Sequence, residues 1–266
     1  MNLYLIFFII VILYILYILY NYFVKLDINN DINNDINNDI FKYSLMVHLK
    51  NDKISQKRIN DVKKIYQDYE LPINIMPATH WKYDENEIST YPIEKNNIMT
   101  NRPGAYGLAG SFYKCLKKAY NDDWPYLIFL EDDAVPILSK DKFKRKFNDI
   151  ISSMPNDKND IYMLGIAVYC KTNNDEKIKW TKFNNINTYI SGTHAIYFGK
   201  KSINNILSHL NNNKIDLPID EWLKKFNPWI WYGDLSENGM FRGLYKQLNM
   251  NCTNVFTLEG PINNKI

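Results

Sequence analysis

Three consecutive carboxylates, Glu131, Asp132 and Asp133, follow directly on the apolar run Tyr126-Leu127-Ile128-Phe129-Leu130. The run has the length and the aromatic and branched character of a buried parallel strand. Acids at the carboxyl end of such a strand lie where open α/β sheets place their ligand crevice. Packed together they repel, by a few kcal/mol per pair at an effective dielectric of about 20. A hard divalent cation with oxygen ligands offsets that repulsion most simply. A cation held there can in turn hold a diphosphate. Along an extended strand Glu131 and Asp133 point to one side and Asp132 to the other. Glu131 and Asp133 are therefore the expected metal ligands, with Asp132 directed at sugar or backbone nearby. The bland alternative is a solvated strand-to-loop junction with idle acids, and Pro136 marks a turn out of the sheet.

The acids need a scaffold, and hydrophobic periodicity supplies one. Tyr43 to Leu49 reads as a strand. Ser55 to Glu70 reads as an amphipathic helix with Ile59, Val62, Ile65, Tyr66 and Tyr69 inward, stopped by Pro72. Ile73 to Met76 reads as a second strand, and Trp81 to Pro103 as a polar loop or flap. A helix over Ala105 to Tyr120 feeds the strand before Glu131. Lys140 to Ile151 is a further amphipathic helix, followed by strands at Ile161 to Leu164 and His194 to Phe198. A helix at Ser202 to Leu210, a short helix from Asp220 and a strand near Val255 to Leu258 complete the series. Alternating strands and helices predict an α/β fold, a mostly parallel sheet flanked by helices on both faces.

A chain of 266 residues can hold one sizeable domain and an appendage. The net charge of +3, without a long basic block, makes no electrostatic case for nucleic acid. Aromatics at 15% feed either a large core or carbohydrate-stacking surfaces. Cys115, Cys170 and Cys252 are too few for a disulfide scaffold or a zinc site. Leu3 to Val24 is almost wholly apolar, and as a helix would extend about 33 Å, enough for a bilayer core. No Ala, Gly or Ser precedes Ser44, so no cleavage site is offered. Residues 1–25 are thus expected to be a retained transmembrane helix of a single-pass membrane protein, with the domain lumenal or otherwise off the membrane surface. Residues 26–41 repeat Asp-Ile-Asn-Asn and cannot build a core, so they read as a solvated stalk. Residues 42–266 form the expected catalytic domain.

Leu130-Glu131-Asp132-Asp133 resembles the Leu-Glu-Asp-Asp signature of the lipopolysaccharide and collagen galactosyltransferases, glycosyltransferase family 25. Other segments agree in order. The opening strand with Lys57-Arg58, then Met76-Pro77-Ala78-Thr79, is similar to the family's first two strands. Gly104-Ala105-Tyr106-Gly107-Leu108-Ala109-Gly110-Ser111 is similar to its Gly-x-x-Gly-x-x-x-Ser segment. Gly192-Thr193-His194-Ala195-Ile196-Tyr197, with Pro218-Ile219-Asp220 beyond, resembles its late strand and Pro-x-Asp element. Where the family has Cys and His, this chain has Leu108 and Phe112, so the Ser-His pair is broken. The resemblance implies a GT-A-type fold, a UDP-sugar donor, Mn2+ or Mg2+, and a glycan or protein hydroxyl as acceptor. It implies metal on Asp133 with Glu131 assisting, and Asp132 near the ribose or donor sugar. Arg58, Gly104, Gly107 and Ser111 would bind the donor, and Asp220 would be the base of an inverting transfer. Glu221, Asp234 and Glu237 are alternative bases.

Some residues carry two readings. Asp220 opens a short helix and could equally be an N-cap. Phe226 to Gly239, with Trp229, Trp231 and Tyr232, could stack a sugar or plug the core edge. His194 lies on an apolar strand and reads as a satisfied core histidine. Asn251-Cys252-Thr253 is a glycosylation acceptor only in a lumenal domain. The broken Ser-His pair leaves open an inert carbohydrate-binding or scaffold protein, and acids ending a strand also occur in magnesium phosphohydrolases.

Overall fold

In the computed structural model, residues 14–15, 17–18, 40–50, 53–136, 138–168, 180–185, 190–231, 241–243 and 245–247 are described. Phe41 is fully buried, so the chain enters the core just ahead of β1 (Ser44–His48). Helix α1 (Lys53–Asp68) follows. It ends in a paired-bond cap: Glu70 N–H donates to Gln67 O and Leu71 N–H to Tyr66 O, with Glu70 at φ +55°. Pro72 then bars any return to helix. β2 (Ile75–Pro77) comes next, followed by short helices at Glu85–Ile88 and Asn97–Thr100. Helix α2 (Pro103–Asn121) begins with proline in its first turn, where the missing N–H costs nothing. Then come β3 (Tyr126–Glu131), β4 (Ala134–Pro136), α3 (Lys140–Ser152), β5 (Ile161–Val168) and β6 (Trp180–Lys182). β7 (Ile190–Gly199), α4 (Lys200–Leu210), α5 (Ile219–Trp222), β8 (Trp229–Trp231), β9 (Phe241–Gly243) and β10 (Tyr245–Gln247) complete the described elements.

The strands β2-β1-β3-β7-β5-β8-β6 form the sheet in that order, with β9 also on β5. Strand alternation sorts the core onto its two faces. Leu45, Val47, Leu127, Phe129, Ile196 and Phe198 pack on one side beneath α2 and α4. Met46, Ile128, Leu130, Ala195 and Tyr197 pack on the other beneath α1 and α3. Both faces are covered, as an apolar central strand requires.

Two expectations are corrected here. The sheet is mixed rather than mostly parallel. β1 pairs in parallel with β2 and β3, and β5 with β8. β7 is antiparallel to both β3 and β5, and β9 and β6 also pair antiparallel. A parallel return needs a crossover, usually a helix. Among the described residues between β5 and β7 there is β6 and a single 3-10 turn, and β7 runs back antiparallel. The second correction concerns the membrane. Among the described residues no helix is long and apolar enough to cross one. Within 3–24 only Tyr14, Ile15, Tyr17 and Ile18 are described, all helical, and four positions fall far short of the roughly 20 that a span needs. The transmembrane helix, the membrane as partner and the single-pass localisation are withdrawn together. The rest of 3–24, the stalk at 26–39, Asp234, Glu237 and the strand expected near Val255 to Leu258 lie outside the described residues.

Candidate functional site

The parallel pair β1 and β3 sets Val47 beside Glu131. One step further the same register sets His48 beside Asp132, with Nδ1 to Oδ2 at 3.3 Å. Ser55, buried in the first turn of α1, donates its hydroxyl to that Oδ2 and lies 2.9 Å from His48 Nδ1. Arg58, a turn further along α1, donates to Asp132 Oδ1 at 2.8 Å and to Asp133 Oδ2 at 3.3 Å. Both oxygens of the buried Asp132 are thereby occupied. This carboxylate holds Arg58 in place.

The antiparallel pair β3 and β7 sets Leu130 beside Ala195. The next step along this ladder brings Glu131 opposite His194, with Oε2 and Nδ1 3.9 Å apart. Asp133, in the turn after β3, comes back to the same point. One ligand atom from each of Glu131, Asp133 and His194 lies within 4.8 Å of the other two. His194 is only 3% exposed, and neither ring nitrogen has a hydrogen-bond partner. Asp133 Oδ1 is buried and unpartnered as well. Buried polar atoms are seldom left this way, because each costs about 1–3 kcal/mol. Burial, with Glu131 adding repulsion, pushes the Asp133 carboxyl up to about 6. Two carboxylates and an imidazole with free nitrogens fit a divalent cation.

A crevice of about 340 Å³ opens beside these groups at the carboxyl ends of β1, β2 and β3. Glu131, Asp132, Asp133 and Arg58 line one side of it. The amino end of α2 lines another through Pro103, Gly104, Gly107 and Ser111. Trp81, 43% exposed, stands on the rim next to His80. The segment after β2 presses closely on α2. A Cβ on Gly107 would lie 2.7 Å from the Thr79 carbonyl oxygen, and one on Gly110 2.5 Å from Thr79 Oγ1. Gly104 is open. Ser111 accepts the Thr79 N–H at 2.9 Å and donates to Gly107 O at 3.0 Å, so its hydroxyl ties β2's exit to α2. Phe112, where the resemblance would have put a histidine, is fully buried against Phe129 and Phe198.

Asp220, like His194, is not among the residues lining this crevice. Its Oδ2 accepts the Gly192 N–H at 3.1 Å, and its Oδ1 accepts Glu221 N–H. Gly192 has φ +94°, and a Cβ there would lie 2.8 Å from His194 Nε2. Asp220 therefore braces the backbone beside His194. Glu221 pairs with Lys224 at 2.7 Å. Trp229 and Trp231 belong to β8; Trp231 is fully buried and Trp229 donates to Asp160 at 2.8 Å, so both serve the core edge. His194, His48 and Ser55 are the members that the sequence reading missed. Parity offered a signal for the first, because His194 falls on the same strand face as Ile196 and Phe198. A histidine there must find partners for two nitrogens.

No family model matches the sequence, and no curated protein matches it. Membership of the galactosyltransferase family is thus not shown, and the partners it implied, a nucleotide sugar and a hydroxyl acceptor, draw no support from relatives. Solved structures give weak and distant similarity. One is a glycosyltransferase involved in glycosylation of the major capsid of PBCV-1, at 10% identity and TM-score 0.32 over 64% of this chain. The match spans 65% of that protein's chain. Another is HddC from Yersinia pseudotuberculosis complexed with GMP-PN, at 15% identity and TM-score 0.38 over 81% of this chain and 97% of that one. A third is A197 from STIV, at 16% identity and TM-score 0.29 over 78% of this chain and 96% of that one. Similarity at this level carries no functional weight, and the site's own geometry must carry it.

Proposed function

We propose that this protein is a metal-dependent glycosyltransferase that moves a hexose from a UDP-sugar to a hydroxyl acceptor. The observation that carries the proposal is His194, buried with no hydrogen bond to either ring nitrogen and grouped with Glu131 and Asp133, both of which line the crevice. Mn2+ or Mg2+ held by these three residues would offset the charge that develops on a departing diphosphate. The remaining roles fall to groups around the crevice. Arg58 is positioned by Asp132 and is still partly exposed, so it can donate to diphosphate oxygens. The amino end of α2 opens on the crevice at Gly104 and offers anionic oxygens the positive end of a 19-residue helix. Gly107 and Ser111 let β2's exit lie close enough to form the wall. Trp81 presents an aromatic face to the base or the sugar. Asp220 supports His194 through the Gly192 turn rather than acting as the base.

Calorimetry with UDP in the presence and absence of Mn2+ tests the proposal, alongside a panel of UDP-sugars assayed for Mn2+-dependent hydrolysis. Metal-dependent UDP binding is expected, with loss of both binding and hydrolysis in Asp133→Ala. Nucleotide binding that ignores the metal, or full hydrolysis in that variant, refutes the assignment.

A further inference from the structure

The charge of the molecule is unevenly placed. Helices α1 and α3 each carry five Lys or Arg against two Asp. The net charge of the whole chain is only +3, so everything outside these two helices is net negative. The two helices lie side by side on one face of the sheet. Both pack into the core beneath Met46 and Ile128, the Tyr69 and Phe143 rings meet at 5.8 Å, and Lys140 and Lys144 both pair with Glu70 just beyond α1. Lys53, Lys57, Lys63 and Lys64 on α1 and Lys142 and Arg145 on α3 are exposed. None of these six has an ion-pair partner among the described residues. Arg58, on the same helix as four of these cations, lines the crevice.

We infer that the α1–α3 face is a docking surface for an acidic polysaccharide, along which the acceptor chain lies while one end reaches the crevice. The inference rests on the glycosyltransferase reading for its choice of polymer. Charge complementarity selects a polyanion. The large apolar side chains exposed among the described residues all lie outside α1 and α3. Single-stranded nucleic acid is ordinarily held by stacking on exposed aromatics, and lipid by inserted apolar side chains. Among the described residues this face offers neither, whereas a hydrophilic chain of carboxylates or sulfates needs only the cations.

The test is binding of the full chain to polygalacturonate and to heparin at about 50 mM and 200 mM salt. A single-stranded oligonucleotide and phosphatidylglycerol vesicles serve as competing probes. Polysaccharide binding that weakens at least tenfold between the two salt concentrations is expected. The fourfold variant Lys63→Glu, Lys64→Glu, Lys142→Glu, Arg145→Glu should lose it by at least tenfold. A second variant with Gln at the same four positions should fall in between, and circular dichroism checks that both fold. None of the four lines the crevice, so Mn2+–UDP binding should persist in both, which separates failure here from failure of the enzyme assignment. Equal binding by wild type and the Glu variant overturns the inference. So does tighter binding of the oligonucleotide or the vesicles than of either polysaccharide.

Discussion

Asp133 and Asp132 are adjacent acids with opposite situations. Asp132 has Ser55, His48 and Arg58 on its two oxygens, whereas Asp133 keeps one buried oxygen without any partner. The first is spent on structure and the second is available to a ligand. The convergence of Glu131 and Asp133 could be read from strand alternation alone. Parity put His194 on the apolar face of its strand, but its place beside Glu131 depends on the antiparallel register of β3 and β7, which no local pattern encodes. Its nitrogen also bears on the choice of metal. Imidazole suits Mn2+, Co2+ or Zn2+ better than Mg2+, which prefers an all-oxygen shell. Mn2+ titration followed by electron paramagnetic resonance should therefore show tighter binding than Mg2+ competition by tenfold or more. His194→Asp should narrow that ratio toward unity. A ratio unchanged in the variant would remove His194 from the ligand set. Arg58→Ala should weaken UDP binding by about tenfold while leaving Mn2+ binding measurable, as expected of a group that contacts diphosphate.

The long helices and the central apolar strands were apparent in the sequence because periodicity is a local property, whereas the short helices at Glu85–Ile88 and Asn97–Thr100 fall where a loop was expected. Helix α1, α2 and α3 begin and end within a few residues of their expected bounds. The direction of β7 was not apparent, since it depends on what the chain does between residues 169 and 189. The approach of β2's exit to α2 was foreshadowed only by three glycines. Their spacing fits no phosphate-loop fingerprint, and the structure explains two of them by contact. Gly107→Ala would drive a methyl group into the Thr79 carbonyl, a backbone atom that cannot swing aside. Overpacking of this kind costs about 1–3 kcal/mol, more than the roughly 1 kcal/mol that alanine returns in helix propensity. Gly104→Ala meets nothing within 4 Å and should be neutral or slightly stabilising. Urea denaturation of the two variants checks the contrast. A destabilised Gly104→Ala beside an unaffected Gly107→Ala would mean that α2 and β2 are not packed this way.

At the level of the whole molecule, the site is paid for in folding stability. Folding raises the Asp133 carboxyl from an ordinary 3.8 to about 6, so between those values the folded state binds more protons than the unfolded one. Stability from this group is therefore full below about pH 4 and is lost as pH rises to 6, by at most about 3 kcal/mol. Other acids act in the opposite sense. Glu70, held down to about 2 by Lys140 and Lys144, favours the fold above its ordinary range and withdraws that support as pH falls. The contribution of Asp133 is isolated by comparing metal-free wild type with Asp133→Asn. Their difference in Tm should drift in favour of the variant from pH 4 to pH 6 and flatten above. A bound cation favours the deprotonated carboxylate, so added Mn2+ should stabilise wild type more at pH 7 than at pH 4.5. At about one hundred times its Kd the ion contributes roughly 2.7 kcal/mol, or about 5–10 °C in Tm for a domain of this size. The Asn variant should show little of that rise. A Tm equally raised in both proteins would place the ion elsewhere on the surface and leave the buried carboxylate and His194 without their ligand.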